Sequence, residues 1–290
     1  MLQTINMYSV FDTNPNGDFR QRYPLSVKAS VYNFLILRDG SPFLSGLPYP
    51  SLAAIRDFAL YAGTSDSAIR TLLSREGRAG FISKGKDEAG IMRYRLSEPS
   101  LVVSMVNSRR DGLPEGFIVA IFSFTVDAVS ERSIVRETLK NFGFKKIAQN
   151  VYLNGRVDTG PLRSAMRELK LDSHLYLLEC PDIGDQALID KIINLFEVRR
   201  RSEELAEFER AMNAFLDGSE AEATDLDGFP RRLIYAGLVF WERFRTTEPP
   251  LPARFLPDAY RFGDIARTYE ERYAVGANAL IEYYTRVTQS

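Results

Sequence analysis

The sequence predicts an α+β protein of several domains, and three observations lead to that prediction. The chain has 290 residues, which exceeds the usual size of one domain. Three helical patterns followed by a hairpin pattern lie near the N-terminus, in the order of a winged helix-turn-helix. Further along, the pattern β-α-β-β-α-β has the ferredoxin-like order. The predicted divisions are a leader arm at 1–25, a winged helix-turn-helix domain at 26–97, a linker at 98–116, a ferredoxin-like central domain at 117–181 and a helical C-terminal domain at 182–290.

Three predicted helices open the first domain. The first pattern starts at Ser26 and closes at Gly40, and the second starts at Ser51. Ser65 is a good N-cap for the third helix, and Asp66 suits its first turn because the helix dipole favours negative charge there. The apolar positions at helical spacing are Val27, Val31, Phe34 and Leu35 in the first helix, Leu52, Ile55, Phe58, Ala59 and Ala62 in the second, and Ile69, Leu72 and Leu73 in the third.

A hairpin pattern follows the third helix. Phe81 and Ile82 form a short apolar segment, residues 83–90 are polar and bounded by glycine, and residues 91–96 alternate. Three helices and a hairpin form the layout of a winged helix-turn-helix, whose third helix enters the major groove of DNA.

The third helix has a polar face suited to DNA. If Ile69 is turned inward, a rotation of about 100° per residue places short polar side chains and arginines outward. Hydroxyl groups can bond phosphates or base edges, and arginine can bind guanine through two hydrogen bonds. Basic residues of the hairpin suit phosphates. The candidate DNA-binding residues are Ser65, Ser67, Arg70, Thr71, Ser74, Arg75, Arg78, Lys84, Lys86 and Arg93.

Charge is distributed unevenly along the chain. The net charge of −1 gives no global sign of a nucleic-acid binder. Residues 65–95, however, contain seven basic and four acidic residues, so this segment is +3 and the remainder is −4. Arg20 and Arg22 of the leader are expected to follow the DNA backbone. The alternative is a winged-helix adaptor for protein contacts, which Asp87 and Glu88 at the hairpin tip favour.

The rest of the chain has two further patterns. A C-terminal helical domain follows the central strands and helices. The predicted central strands are 117–125, 144–147, 151–153 and 174–178, the central helices are 129–142 and 160–169, and the C-terminal helices are 186–216, 229–246 and 264–287.

Several kinds of chemistry are disfavoured by composition. One cysteine, Cys180, allows no internal disulfide and no cysteine cluster, and one histidine, His174, excludes a two-histidine metal site within one chain. We interpret Cys180 as an inert buried thiol and His174 as a structural residue. Asp127 follows the first central strand, where it either caps the helix before Ser130 or binds metal in a nuclease. The sequence therefore predicts no enzyme, no metal and no cofactor, with a metal-dependent nuclease as the alternative.

The predicted location is the cytoplasm. No apolar run approaches the about 20 residues that span a bilayer, and the first 17 residues lack a basic segment followed by an apolar core. A single free cysteine fits a reducing compartment.

With these residues placed, the chain resembles the PaaX family of bacterial transcriptional regulators, the repressors associated with phenylacetic acid catabolism. The resemblance covers about residues 26–288, and the chain departs from the family pattern where Glu76, rather than leucine, follows Arg75. The matching blocks are 65–97 (SDSAIRTLLSREGRAGFISKGKDEAGIMRYRLS), 116–154 (GFIVAIFSFTVDAVSERSIVRETLKNFGFKKIAQNVYLN) and 231–267 (RRLIYAGLVFWERFRTTEPPLPARFLPDAYRFGDIAR).

The resemblance implies a function and partners. The second block is similar to the small nuclease-like subunit of CRISPR spacer-integration complexes. A homodimer is expected to bind a double-stranded DNA operator, repress an aromatic-acid catabolic operon, and be released by an aryl-CoA or acyl-CoA effector such as phenylacetyl-CoA. Such a ligand needs cations for its phosphates and an apolar slot. The candidates for this site are Arg231, Arg232, Arg243 and Trp241. The alternative is that the arginines form surface ion pairs with the acidic stretch at 203–227 and that Trp241 packs in the core.

Overall fold

The computed structural model describes residues 18–97, 115–155, 158–218, 228–244, 248 and 251–289. The protein is α+β, with many helices and two small antiparallel sheets. Its described residues form two compact units. We call them the terminal unit (18–97, 206–218, 228–244 and 262–289) and the mid-chain unit (115–155, 158–205, 248 and 251–261). The predicted C-terminal domain is therefore divided between the two units, and the terminal unit joins its last helices to the N-terminal ones.

The terminal unit begins with four helices: α1 (Phe19–Arg22), α2 (Val27–Gly40), α3 (Leu52–Tyr61) and α4 (Asp66–Arg78). The side chains of Ser26, Ser51 and Ser65 each accept a hydrogen bond from the backbone nitrogen three residues later, so each is the N-cap of its helix. Such caps typically stabilise a helix by about 1 kcal/mol. Helices α2, α3 and α4 contact one another around the stacked rings of Phe34 and Phe58.

A hairpin of β1 (Ile82–Lys86) and β2 (Met92–Leu96) follows α4. Its strands are antiparallel, with Ile82 opposite Leu96 and Lys86 opposite Met92. The first strand is therefore longer than the predicted two-residue apolar segment. Ser51 forms a single bridge with Arg93, which attaches the start of α3 to β2.

The predicted leader arm is wrong for the residues that the structure describes. Phe19 and Tyr23 are buried, and their rings pack against Phe208. The reason is that Phe19 and Tyr23, two large aromatic residues four positions apart, are buried. The prediction relied on the polar turn residues before Phe19 and gave these two rings no weight. Residues 1–17 of the predicted arm and 98–114 of the predicted linker lie outside the described residues.

The mid-chain unit contains a four-stranded antiparallel sheet and two helices that pack on it. The elements in chain order are β3 (Phe117–Phe122), α5 (Val129–Asn141), β4 (Lys145–Ala148), β5 (Val151–Gly155), α6 (Gly160–Glu168), a 3-10 turn (Asp172–His174) and β6 (Leu175–Cys180). The strands lie in the order β4-β5-β3-β6. One face of the sheet packs against α5 and α6 around Phe122, Leu139 and Met166. The other face is covered by Phe196 and Phe255, among others.

The long helix predicted at 186–216 is two helices, α7 (Gln186–Leu195) and α8 (Val198–Asp217). Glu197 lies between them with φ of 52°, in the left-handed region. Phe196 and Val198 are both buried in one apolar cluster. Residues two apart point to opposite sides of a continuous helix, so the break allows both side chains to reach the same core.

The last predicted helices are also interrupted. Helix α9 (Gly228–Val239) continues as a π-helical turn at Phe240–Phe244, and the predicted helix 264–287 is two helices, α10 (Phe262–Val275) and α11 (Ala277–Gln289). Gly276 separates α10 from α11. A Cβ atom at Gly276 would lie 2.8 Å from Phe229 and 2.9 Å from Leu233, so glycine allows the close approach of α9.

Gly237→Ala should destabilise the terminal unit. A Cβ atom at Gly237 would lie 2.0 Å from the Tyr269 hydroxyl oxygen, and overpacking of this kind typically costs about 1–3 kcal/mol. This loss opposes the gain of about 1 kcal/mol that alanine brings to a helix interior. The matched control is Gly263→Ala in α10, where no heavy atom lies within 4 Å of the new Cβ. Urea unfolding should show a lower midpoint for Gly237→Ala only, and equal midpoints would contradict the expected clash.

Candidate nucleic-acid interface

Helix α4 has the orientation that its pattern predicts. Its inner side buries Ile69, Leu72 and Leu73. The opposite side is polar or cationic, and we call it the α4 face. The α4 face consists of Ser65, Ser67, Arg70, Thr71, Ser74, Arg75 and Arg78, all of which are exposed. The predicted residues of this helix are thus brought together on one accessible surface.

Asp66 organises the beginning of the α4 face. Its Oδ2 atom accepts a hydrogen bond of 2.8 Å from Nε of Arg70, whose side chain is 58% exposed. Its Oδ1 atom forms an ion pair with Arg56 of α3. The hydrogen bond from Arg70, together with the charges of both arginines, holds the pKa of Asp66 below its ordinary value. The carboxylate therefore stays charged at neutral pH and links α3, α4 and Arg70.

Glu76 supports the α4 face from its inner side, a position that the sequence reasoning missed. It lies on the inner side of α4 and is 5% exposed. Its carboxylate accepts hydrogen bonds from Tyr32 and from Nε and Nη2 of Arg75, at 3.0 and 2.8 Å for the arginine, and Nζ of Lys28 lies 3.8 Å away. Its spacing of seven from Ile69 was a signal, because that interval belongs to the buried side of a helix.

Burial of the Glu76 carboxyl raises its pKa, whereas the hydrogen bonds from Tyr32 and Arg75 lower it. The charges of Lys28 and Arg75 act in the same direction, and the pKa of Glu76 is lower than usual as a result. A buried carboxylate in this position therefore connects α4 to α2 and holds Arg75, whose side chain remains 63% exposed.

Lys84 and Lys86 are exposed on β1, as a phosphate contact requires. Within the described part of the chain, neither ammonium group lies within ion-pair distance of a carboxylate. Arg95 on β2 is also exposed, and its Nε atom donates to Ser83 at 3.1 Å. The candidate list omitted Arg95, although the charge count included it.

Arg93 does not fit its predicted role as a phosphate contact. Its side chain is only 12% exposed, its Nε atom donates to Asp87 at 2.7 Å, and another guanidinium nitrogen donates to the carbonyl oxygen of Thr288 in α11. Asp87 also accepts from the backbone nitrogen of Ile91 at 2.8 Å, which closes the hairpin turn. The reason lies in the tertiary structure, because Arg93 contacts the end of the last helix. A local sequence pattern does not reveal such a contact.

The leader arginines are also engaged within the terminal unit. Arg20 donates to the carbonyl oxygen of Tyr61 at 3.0 Å and lies over the ring of that residue. Arg22 forms an ion pair with Glu207. The predicted alignment of both arginines along a DNA backbone is therefore not what the structure shows, because each has a folding partner.

The predicted effector residues do not form one cluster of available cations. Arg231 donates two hydrogen bonds to Asp57, at 2.7 and 3.2 Å, and the Tyr283 hydroxyl donates to the same carboxylate at 2.6 Å. Arg232 is buried. Arg243 lies over the ring of Tyr23, and Trp241 is half-buried. An ion pair thus accounts for Arg231, and its partner is on α3 rather than in the acidic stretch.

The residues considered for other chemistry lie in the mid-chain unit. Asp127 is exposed but does not cap α5, whose N-cap is Ala128 without a side-chain bond, so the predicted cap is wrong. The His174 ring stacks on Phe124 with centroids 4.5 Å apart. Cys180 is half-buried and its thiol donates to the carbonyl oxygen of Asp182.

Two further features are absent from the described residues. No group of three or more His, Cys, Asp or Glu side chains is arranged to hold a metal ion there. Across the same described ranges, every helix is too short or too polar to cross a membrane.

No family model and no curated protein matches this chain. Among solved structures, it is similar to the uncharacterized protein Rv0674 from Mycobacterium tuberculosis, with a TM-score of 0.50 and 19% sequence identity. The match covers 90% of this chain and 98% of that chain. At this identity the likeness concerns the fold alone, and it supports the mixed α and β architecture over most of the sequence.

Glu76→Gln should lower the free energy of unfolding by about 1–3 kcal/mol near neutral pH, because buried donors lose their charged acceptor. The pKa of Glu76 is lowered in the folded chain. The wild-type advantage is therefore complete above the ordinary carboxyl pKa of about 4.3 and is lost as the pH falls through the folded value. Urea unfolding followed by Trp241 fluorescence at neutral and acidic pH measures both effects.

The control for this prediction is Glu88→Gln, since Glu88 is an exposed carboxylate beside the hairpin turn. It should change the unfolding free energy little at either pH. A deficit of Glu76→Gln that persists unchanged in acid would contradict the role of the Glu76 charge.

Proposed function

We propose that this protein is a sequence-specific transcriptional regulator that binds double-stranded DNA through α4 and the β1–β2 hairpin. One observation is the main support: the α4 face places seven polar or cationic side chains on one accessible side of a helix. The exposed Lys84 and Lys86 follow directly on the hairpin. A convex helix with short hydroxyls and arginines suits the major groove, and lysines on a flanking hairpin suit phosphates.

The surrounding elements support a winged helix-turn-helix. Helices α2, α3 and α4 contact one another, β1 contacts α4, and β2 contacts α2 and α3. In that architecture the third helix of the bundle is the recognition helix and the hairpin lies beside it. Here the third helix of the bundle is α4, and α4 is also the helix that has the polar and cationic α4 face.

The mid-chain unit supports a ferredoxin-like domain. Its element order is β-α-β-β-α-β, its sheet order is β4-β5-β3-β6, and both crossover helices pack on one face of the sheet. Because the chain resembles the PaaX family, we propose that the protein forms a homodimer and that the homodimer binds two half-sites. Such half-sites lie about 34–36 Å apart or at multiples of that distance.

The biological role in this proposal follows from the same resemblance. The protein would act in the cytoplasm as a repressor of an aromatic-acid catabolic operon and be released by an aryl-CoA or acyl-CoA effector. The fixed ion pair of Arg231 with Asp57 removes Arg231 from the candidates for the CoA phosphates. Arg243 remains a candidate for binding the phosphates, and Trp241 remains a candidate for the apolar slot.

The direct test is a gel shift with DNA from upstream of the protein's own gene. A retarded band at low salt that weakens as salt rises is expected, because cationic side chains release counterions from the phosphates. Absence of a band at low salt would overturn the proposed function. Loss of the band on adding phenylacetyl-CoA tests the effector separately, so a negative result there removes only that part.

Two substitutions distinguish base contacts from phosphate contacts. Arg70→Ala should relax sequence preference, with a loss of about 1–3 kcal/mol on the preferred site and little on other DNA. Lys84→Ala should weaken binding to all sequences about equally and reduce the salt slope by about 1. Fluorescence anisotropy titrations at several salt concentrations measure both quantities.

The matched control is Arg267→Ala, because Arg267 is an exposed arginine that pairs with Asp264 in α10. Equal, sequence-blind losses from both variants would remove Arg70 from base recognition.

A further inference from the structure

Two arginines of the α4 face, Arg70 and Arg75, are held by carboxylates in different ways. Arg70 donates to Asp66 through Nε alone. Arg75 donates to Glu76 through both Nε and Nη2. Arg78 reaches only the carbonyl oxygen of Ser74, at 3.4 Å. The three guanidinium groups are therefore held to different degrees within the terminal unit.

The hydrogen bond to Asp66 leaves the outer edge of the Arg70 guanidinium for another acceptor. Among the described residues, Nε is the Arg70 side-chain donor that is used. One hydrogen of Nη1 and one of Nη2 lie at the end of the guanidinium, and together they match the O6 and N7 acceptors of guanine. Arg75 uses Nε and one Nη2 hydrogen on Glu76, so its outer edge also keeps two donors, but its acceptor is the adjacent residue of the same helix.

Asp66 is itself fixed from a second side. Arg56 of α3 forms an ion pair with the oxygen that Arg70 does not use. The carboxylate is thus held between two helices, and its position does not depend on Arg70. A fixed acceptor limits the rotamers of the long Arg70 side chain before DNA arrives, which reduces the entropy lost on binding.

We infer that Asp66 is a positioning residue that sets the base preference of Arg70 by directing its outer guanidinium edge into the major groove. This inference rests on the proposed function and deepens it. Asp66 also places a negative charge at the start of a helix that would approach phosphates. Asp66 therefore improves discrimination while it weakens binding to DNA of any sequence.

This combination predicts a signature that a purely structural residue would not have. Asp66→Asn keeps the shape of the side chain and removes its charge. Discrimination at one base pair should fall, whereas affinity for unrelated DNA should rise and its salt slope should steepen, because one repulsive charge is gone. Exposed pairs at this helical spacing add little to stability, so the variant should fold, which circular dichroism can verify.

The experiment uses the full chain and a randomised double-stranded DNA library. The wild type first enriches a preferred duplex, and that duplex is then altered at one base pair at a time. Arg70→Ala identifies the base pair that Arg70 reads, where the wild type should discriminate by about tenfold or more. Asp66→Asn should lose most of this discrimination at that base pair alone, and Asp66→Glu should restore part of it.

The matched control is Asp264→Asn. Asp264 also lies in the first turn of a helix, and it pairs with an exposed arginine three residues later. The Asp264→Asn substitution removes the same charge and should leave discrimination at every base pair unchanged. If Asp66→Asn keeps the wild-type discrimination, or if Arg70→Ala loses none, the inference is overturned while DNA binding stands. If the wild type enriches no sequence, the proposed function is wrong and the inference falls with it.

Discussion

The structure of the terminal unit depends on how the inner side of α4 is buried against α2 and α3. Three of the inner residues are apolar, but the fourth is the carboxylate of Glu76, which accepts hydrogen bonds from Tyr32 and Arg75. Rotation of α4 about its axis would leave a buried charge without donors, which is costly. The carboxylate therefore fixes the orientation of the helix more strictly than apolar packing alone, and with it the set of residues on the α4 face.

Four arginines of the terminal unit divide into two groups once their partners are known. Arg70 and Arg75 are held by carboxylates at their inner end and remain exposed. Arg93 and Arg231 are largely enclosed and join distant segments, to α11 and to α3 respectively. A charge count along the sequence treats all four alike. The net charge of +3 for residues 65–95 is unchanged by the pairing of Arg93 with Asp87, because that count already includes Asp87, but the exposed surface of this segment has one cation fewer than its seven basic residues suggest.

The last helix is part of the same compact unit as the candidate interface. Helix α11 contacts β2 through Thr288 and Arg93, and α3 through Tyr283 and Asp57. A change in the C-terminal helices therefore has a physical connection to the hairpin and to the helix before α4. A boundary drawn at residue 97 from sequence separates segments that the fold holds together.

The sequence by itself determined the local features of this protein. Serine before each apolar repeat located the starts of α2, α3 and α4, and the spacing of Ile69, Leu72 and Leu73 determined which side of α4 is exposed, because periodicity directly records burial. Only the tertiary structure decided the break at Glu197, the burial of Phe19 and the partners of Glu76, Arg93 and Arg231. Each of those features includes a contact between residues tens to hundreds of positions apart, and such contacts leave no periodic trace in a single sequence.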